Sequence, residues 1–195
     1  MDESWFQLLA AQALASPPWP DPRFPPSPYY RFLWLLAQNV QPSLSVELGL
    51  AGGGGSFHLA LGWLNGIVVG VERDPGDDWQ KANWAHMKEL CPNFVLWPGD
   101  SAESAPEIAR LYGPVSILFI DTVHEYSETM AEWAAWEPFM AEKAVVCMDD
   151  LFRWGMDRAW AEVPWPNKLK INELHDGAEV GLDGYGGGGF GIVWR

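Results

Sequence analysis

Two apolar runs in this sequence end in acids. One is Ile117-Leu-Phe-Ile-Asp121-Thr-Val-His124-Glu-Tyr126, and the other is Val145-Val-Cys-Met-Asp149-Asp150. If both runs are strands of one parallel sheet, their ends share an edge, and Asp121, His124, Asp149 and Asp150 converge there. Like charges raise each other's pKa unless a cation sits among them. An oxygen-rich cluster suits Mg²⁺ or another hard divalent ion, with Asp121, Asp149 and Asp150 as its ligands. Such an ion can hold two vicinal hydroxyls of a substrate and lower their pKa. His124 titrates near neutrality and can then take the proton as general base, which makes Asp121 and His124 the candidate catalytic pair. Each residue also has an ordinary structural use: an Asp at a strand end often caps a helix or bonds to loop amides.

A second constellation lies upstream. Leu44-Ser-Val-Glu47-Leu48 reads as a strand that runs into Gly49-Leu-Ala-Gly-Gly53-Gly-Gly-Ser56 and then a helix. Glycines let the backbone turn sharply and approach a ligand with no Cβ in the way, and the helix start adds free N–H groups. The next strand, Ile67-Val-Val-Gly-Val-Glu72, ends in a carboxylate able to accept both hydroxyls of a ribose. Gly99-Asp100-Ser101 follows the third strand, a polar turn suited to an adenine edge. A dinucleotide site also pairs a glycine turn with a downstream acid. Here Glu47 faces an amino group better than a pyrophosphate, and the order Gly49-x-x-Gly52-x-Gly54 is not the dinucleotide one. A phosphate loop is excluded, because no Gly-Lys-Ser/Thr follows.

Glu-Leu-Gly-x-x-x-Gly before a helix, an acid ending the second strand and Gly-Asp-Ser after the third together resemble the class I S-adenosylmethionine-dependent methyltransferases. The likeness covers about residues 43–195. It implies that Glu47 and Gly49 meet the methionine part of the cofactor, Glu72 the ribose, and Asp100 with Ser101 the adenine, with Gly53, Ser56 and Asp121 also among the cofactor-binding residues. Ile-Asp-x-x-His-x-Tyr, with Asp-Asp one strand later, resembles the macrocin O-methyltransferase and cephalosporin-hydroxylase-like branch. That branch implies a divalent metal on Asp121, Asp149 and Asp150, His124 as base, and a sugar or natural-product hydroxyl as the acceptor. Relatives often carry Ser where Gly55 stands, which reads as a looser loop here, and usually Gly where Thr122 stands. Three alternatives stay open: a metal-independent methyltransferase, a non-catalytic cofactor-binding module and, more remotely, a nucleotide-dependent oxidoreductase.

The elements that must position these residues alternate. Strands are expected at 44–48, 67–72, 93–97, 115–120, 143–148, 168–174 and 189–194, and helices at 56–65, 78–90, 102–112, 126–137 and 156–162. Short apolar strands separated by helices imply a Rossmann-like, doubly wound α/β fold. Its seven-stranded sheet is mostly parallel, with helices on both faces. The last two strands are joined by a loop alone, so the final strand is antiparallel, at the end of the sheet. The run Gly184–Phe190 reads as a turn into that strand. Upstream, helices are expected at 3–14 and 29–39, the second with Phe32, Leu33, Leu35 and Leu36 on one side. Between them residues 17–28 hold seven prolines and form an extended connector or flap. Residues 1–42 are thus a helical lead-in to one domain whose cofactor-binding part is 43–195.

Bulk properties narrow the partners. The chain has 195 residues, 48% of them apolar, enough for one substantial core. A net charge of -14 repels phosphate backbones and anionic membrane surfaces. No segment reaches the roughly 20 apolar residues that span a bilayer, and the first residues lack the pattern of a signal peptide. A cytoplasmic protein with a small-molecule substrate is expected; a homodimer is compatible with the sequence and not required by it. Cys91 and Cys147 show no zinc spacing and read as buried thiols. His58, His86 and His175 read as structural or surface residues, and the thirteen tryptophans mostly as packing.

Overall fold

The computed structural model describes residues 1–15, 21, 23–24, 27–174 and 188–195. Among these residues the sheet has seven strands: β1 (Leu44–Leu48), β2 (Ile67–Glu72), β3 (Phe94–Pro98), β4 (Val115–Ile120), β5 (Met140–Met148), β6 (Asn167–Lys170) and β7 (Gly191–Trp194). Their spatial order is β3-β2-β1-β4-β5-β7-β6. The first five run parallel to one another, and β7 runs antiparallel to both β5 and β6. The Rossmann-like α/β sheet is therefore as expected. The antiparallel strand, last in sequence, lies one place in from the edge, and β6 forms the edge itself. Strand β6 also stops at Lys170, short of the expected 174, and gives way to a 3₁₀ turn at Asn172–Leu174.

Alternation of side chains across the strands divides the interior into two layers. Ile117 and Phe119 of β4 and Val145 and Cys147 of β5 face one layer. It also holds residues of α1 (Glu3–Ala15), α2 (Pro28–Val40), α3 (Gly54–Gly62) and α4 (Asp78–Leu90). Leu118 and Ile120 of β4, with Val146 and Met148 of β5, face the other. There they meet α5 (Ala105–Tyr112), α6 (Tyr126–Trp136) and α7 (Met156–Glu162). The N-terminal helices share the first layer: Phe6 of α1 packs on Trp194 of β7 at 4.5 Å between ring centres.

Cys91 and Cys147 are both buried, and burial raises both thiols. Several tryptophans (Trp84, Trp133, Trp136, Trp165 and Trp194) are buried, whereas Trp79 and Trp154 are exposed. His58 is buried under α2 with Nδ1 2.8 Å from the Gly54 carbonyl oxygen, and burial pulls its imidazole down to about 4. His86 lies 2.9 Å from Asp21. His175, most of the Gly184–Phe190 run and part of the proline segment, residues 17–20, 22, 25 and 26, lie outside the described residues. No helix among the described residues is long and apolar enough to cross a membrane.

Candidate active site

At the end of β1 the chain pivots on Gly49, whose φ is +83°. A Cβ there would stand 2.2 Å from the carbonyl oxygen of Asp121, so the turn is wedged against the end of β4. Ala51 also adopts a left-handed conformation, φ +41°, without being glycine. Two hydrogen bonds hold it: its N–H donates to Glu72 Oε2 at 3.0 Å, and its carbonyl accepts from Trp84 Nε1 at 2.9 Å. Gly53, φ +85°, stands at the N-cap of α3.

Glu47 does not reach the front of this turn. It is 1% exposed and accepts the Ser56 N–H at 2.6 Å, behind the glycines. Burial raises its carboxyl to about 8, against the opposing effect of Ser56. Gly53 and Ser56 are buried on the same side, and none of the three lines the cavity described below. Gly55 is not a loosened position either: a Cβ there would lie 2.2 Å from Glu47 Oε1 and 2.8 Å from the Phe119 ring. The expected slack is absent because the Glu47 carboxylate fills the space that a side chain at 55 would need.

In front of the turn, at the carboxyl ends of the strands, lies a cavity of about 300 Å³. It is lined by Gly49, Glu72, Asp100, Ser101 and Asp121, five of the expected site residues, by Thr122, noted in the sequence only as a departure from relatives, and by Glu128 and Glu132, which were not singled out. Glu72 accepts the Ala51 and Asp74 N–H groups, each at 3.0 Å. Asp100 Oδ1 accepts the N–H groups of Ala102 and Glu103. Glu132 receives two hydroxyls: Ser101 Oγ donates to Oε1 at 2.5 Å and Thr122 Oγ1 to Oε2 at 3.0 Å. Burial raises the Glu132 carboxyl to about 7, with the two hydroxyls pulling the other way. A sequence signal for Glu132 exists: it falls in the buried stripe Thr129, Glu132, Trp133, Trp136 of α6, and an acid on an apolar stripe is unusual.

The second cluster adjoins this cavity through Asp121. His124 Nε2 lies 3.6 Å from Asp121 Oδ1 and 3.6 Å from Asp150 Oδ2. Asp149 is hydrogen-bonded to Asp121. Burial, then the charges of Asp149, Glu47 and Asp150, holds the Asp121 carboxyl well above the usual range. His124 and Asp150 both have positive φ, +55° and +50°, a conformation that costs free energy in residues with side chains. Tyr29 and Tyr30 of α2 face the same cluster; burial and the nearby carboxylates raise both phenols. No spacing in the sequence links that pair to the strand ends.

Carboxylate oxygens are the donor type that a hard divalent cation takes. Two contacts compete for one of the donors: Arg153 Nε is 2.9 Å from Asp150 Oδ2, and the Gly188 N–H donates to Asp150 Oδ1 at 2.7 Å. Among the described residues, no group of three or more His, Cys, Asp or Glu stands so as to hold a metal ion.

The family described as a methyltransferase domain matches residues 46–151. The fold is shared with an O-methyltransferase from Bacillus cereus in complex with SAH, at 20% identity and a TM-score of 0.66, over 100% of this chain and 92% of that one. It is shared with the O-methyltransferase TomG from Streptomyces achromogenes, involved in tomaymycin synthesis and in complex with SAM. There the identity is 19% and the TM-score 0.63, over 100% of this chain and 91% of that one. MycE, a methyltransferase from the mycinamycin biosynthetic pathway in complex with Mg and SAH, aligns with 75% of this chain and 37% of its own. Its identity is 23% and its TM-score 0.50. No curated protein matches the chain.

Proposed function

The chain belongs to the methyltransferase-domain family of class I S-adenosylmethionine-dependent enzymes, and from that premise we propose metal-assisted O-methylation of a small hydroxylated, sugar-like or natural-product-like molecule. The observation that carries the proposal is the meeting, at Asp121, of an acid-lined cavity with a histidine set between two carboxylates, Asp121 and Asp150. In this reading the cofactor fills the cavity, with Glu72 toward the ribose, Asp100 and Ser101 toward the adenine, and Gly49 where the backbone must come close. The acceptor hydroxyl lies toward His124. Asp121 and Asp150, each 3.6 Å from the ring, would orient the imidazole that accepts the proton. As the acceptor oxygen forms its bond to the methyl carbon, the carbon–sulfur bond breaks. Sulfur keeps the electron pair as a neutral thioether, and the hydroxyl proton ends on His124. Asp121, Asp149 and Asp150 would hold the divalent ion, which when bound supplies positive charge that lowers the pKa of a coordinated hydroxyl.

A metal-independent transfer is the second reading, and the ion pair between Arg153 and Asp150 favours it. The guanidinium then supplies the positive charge that offsets the carboxylates. One set of assays separates the readings: methyl transfer from labelled S-adenosylmethionine to a panel of catechols, sugars and macrolide-like alcohols, with and without chelator. His124→Ala should lower turnover about 10²–10⁴-fold while S-adenosylhomocysteine still binds. Full activity in chelator would end the metal-assisted reading, as would the lack of any heat on adding Mg²⁺ to the protein saturated with S-adenosylhomocysteine.

A further inference from the structure

Glu132 is a carboxylic acid on the buried face of α6, 2% exposed, yet it opens onto the cavity. It joins two loops that come from opposite sides of β1. Ser101 follows β3 and Thr122 follows β4, and their hydroxyls reach the two oxygens of one carboxylate. An ionised carboxylate can only accept hydrogen bonds, and a hydroxyl has a single proton to give. With both protons committed to Glu132, Ser101 Oγ and Thr122 Oγ1 offer only lone pairs to the cavity. The Ser101 carbonyl is taken by Trp136 Nε1 at 2.8 Å, and Asp100 Oδ1 accepts the N–H groups of Ala102 and Glu103. The side chains of Ser101, Thr122 and Asp100 therefore form a wall of acceptors at this end of the cavity, with Arg73 Nη1 standing 4.0 Å from Asp100 Oδ2 beside it.

We propose that Glu132 is a positioning residue that sets the hydrogen-bond polarity of this wall, and thereby selects a 6-aminopurine over a 6-oxopurine in the cofactor. The inference rests on the reading that S-adenosylmethionine fills the cavity with its adenine toward Ser101. The exocyclic amine of adenine brings donors, which meet the lone pairs of Ser101 and Thr122. A 6-oxo group brings a lone pair to the same wall and leaves acceptor facing acceptor, an unmatched contact that costs affinity. A carboxylate is needed for this effect. Glutamine at 132 would accept from one hydroxyl and donate to the other, so the second hydroxyl would turn its own proton toward the ligand.

The test is calorimetry on the full chain with S-adenosylhomocysteine and S-inosylhomocysteine. It is run at pH 8, above the value of about 7 to which burial raises Glu132. The wild type should prefer the amino compound by about tenfold or more. Glu132→Gln should weaken the amino compound and strengthen the oxo compound, cutting that ratio about tenfold. Thr122→Val, which removes one acceptor and leaves Glu132 in place, should cut it in the same direction and decides the matter if Glu132→Gln fails to fold. A merely structural Glu132 would weaken both compounds alike, so an unchanged ratio in the folded variants overturns the proposal. A wild type that binds S-adenosylhomocysteine without preferring it also overturns it, and leaves the cofactor reading standing. A wild type that binds neither compound overturns both.

Discussion

Glu47 and Gly55 show how much of a site is decided at the scale of single side chains. In β1 the side chains alternate, and Leu44, Val46 and Leu48 belong to the layer under α5 to α7. Alternation therefore sends Glu47 to the opposite face, under α3, where it holds the Ser56 N–H. The sequence was legible enough to mark Glu47 as special, and its period even contains the correct direction. Its position just before the glycines nonetheless suggests a ligand contact. Gly55 could not be read correctly at all without Glu47 Oε1 in place beside it, 2.2 Å from where a Cβ would sit. The expectation for Gly55→Ser follows from that gap. A serine at this position should not tighten the turn; it should force Glu47 or Phe119 aside and lower stability by about 1–3 kcal/mol. Urea denaturation measures the difference, and a variant as stable as the wild type would contradict the packing argument.

Whole elements were more legible than their contacts. Strands 44–48, 67–72 and 115–120 and helices 78–90 and 156–162 stand where the apolar runs and turn residues put them. The helix expected from 102 begins instead at Ala105, and the reason is local. Asp100 Oδ1 takes the N–H groups of Ala102 and Glu103, and the Asp100 carbonyl takes that of Ser104, so a turn forms first. Pro106 then sits in the first turn of α5, where its missing N–H costs nothing. The role of α4 was hidden for a different reason: it acts across 33 residues of sequence. A capping box between Asp77 and Gln80 fixes the start of α4. Trp84 then reaches from it to the Ala51 carbonyl, and the Trp79 ring lies against Gly52. The helix thus props the glycine turn in its strained shape. Trp84→Phe keeps most of the buried ring and deletes one hydrogen bond, so it should cost about 1 kcal/mol of stability. If the turn is what meets the cofactor, affinity for S-adenosylhomocysteine should fall several-fold as well, because Ala51 would lose one of its two restraints. Thermal unfolding and calorimetry on the same preparation read the two effects; unchanged affinity would show that α4 supports the fold and not the site.

At the scale of the molecule, the net charge of -14 says what the surface repels; only the topology says where the acids gather. Parallel strands deliver Glu72, Asp121, Asp149 and Asp150 to one edge, and the following loops and α6 add Asp74, Asp100, Glu128 and Glu132. The described cavity lining carries six acids, Glu72, Asp74, Asp100, Asp121, Glu128 and Glu132, against the single cation Arg73. Low-dielectric walls of one sign focus a field into the cavity, and that field has a consequence specific to methyl transfer. S-adenosylmethionine carries a sulfonium charge that S-adenosylhomocysteine lacks, while the rest of the two molecules is alike. The acids should therefore hold substrate cofactor more tightly than product cofactor, and help the spent cofactor to leave. Salt weakens such an effect: the screening length falls from about 30 Å at 0.01 M to about 3 Å at 1 M. The affinity ratio of S-adenosylmethionine to S-adenosylhomocysteine should fall several-fold across that range, measured by calorimetry at fixed pH. Contacts to adenine, ribose and the methionine end are common to both compounds and cancel in the ratio, so what remains reports the field at sulfur. A ratio that does not move with salt would mean that the acids are neutralised, by shared protons or by a bound cation, and that neither cofactor form meets a net negative wall.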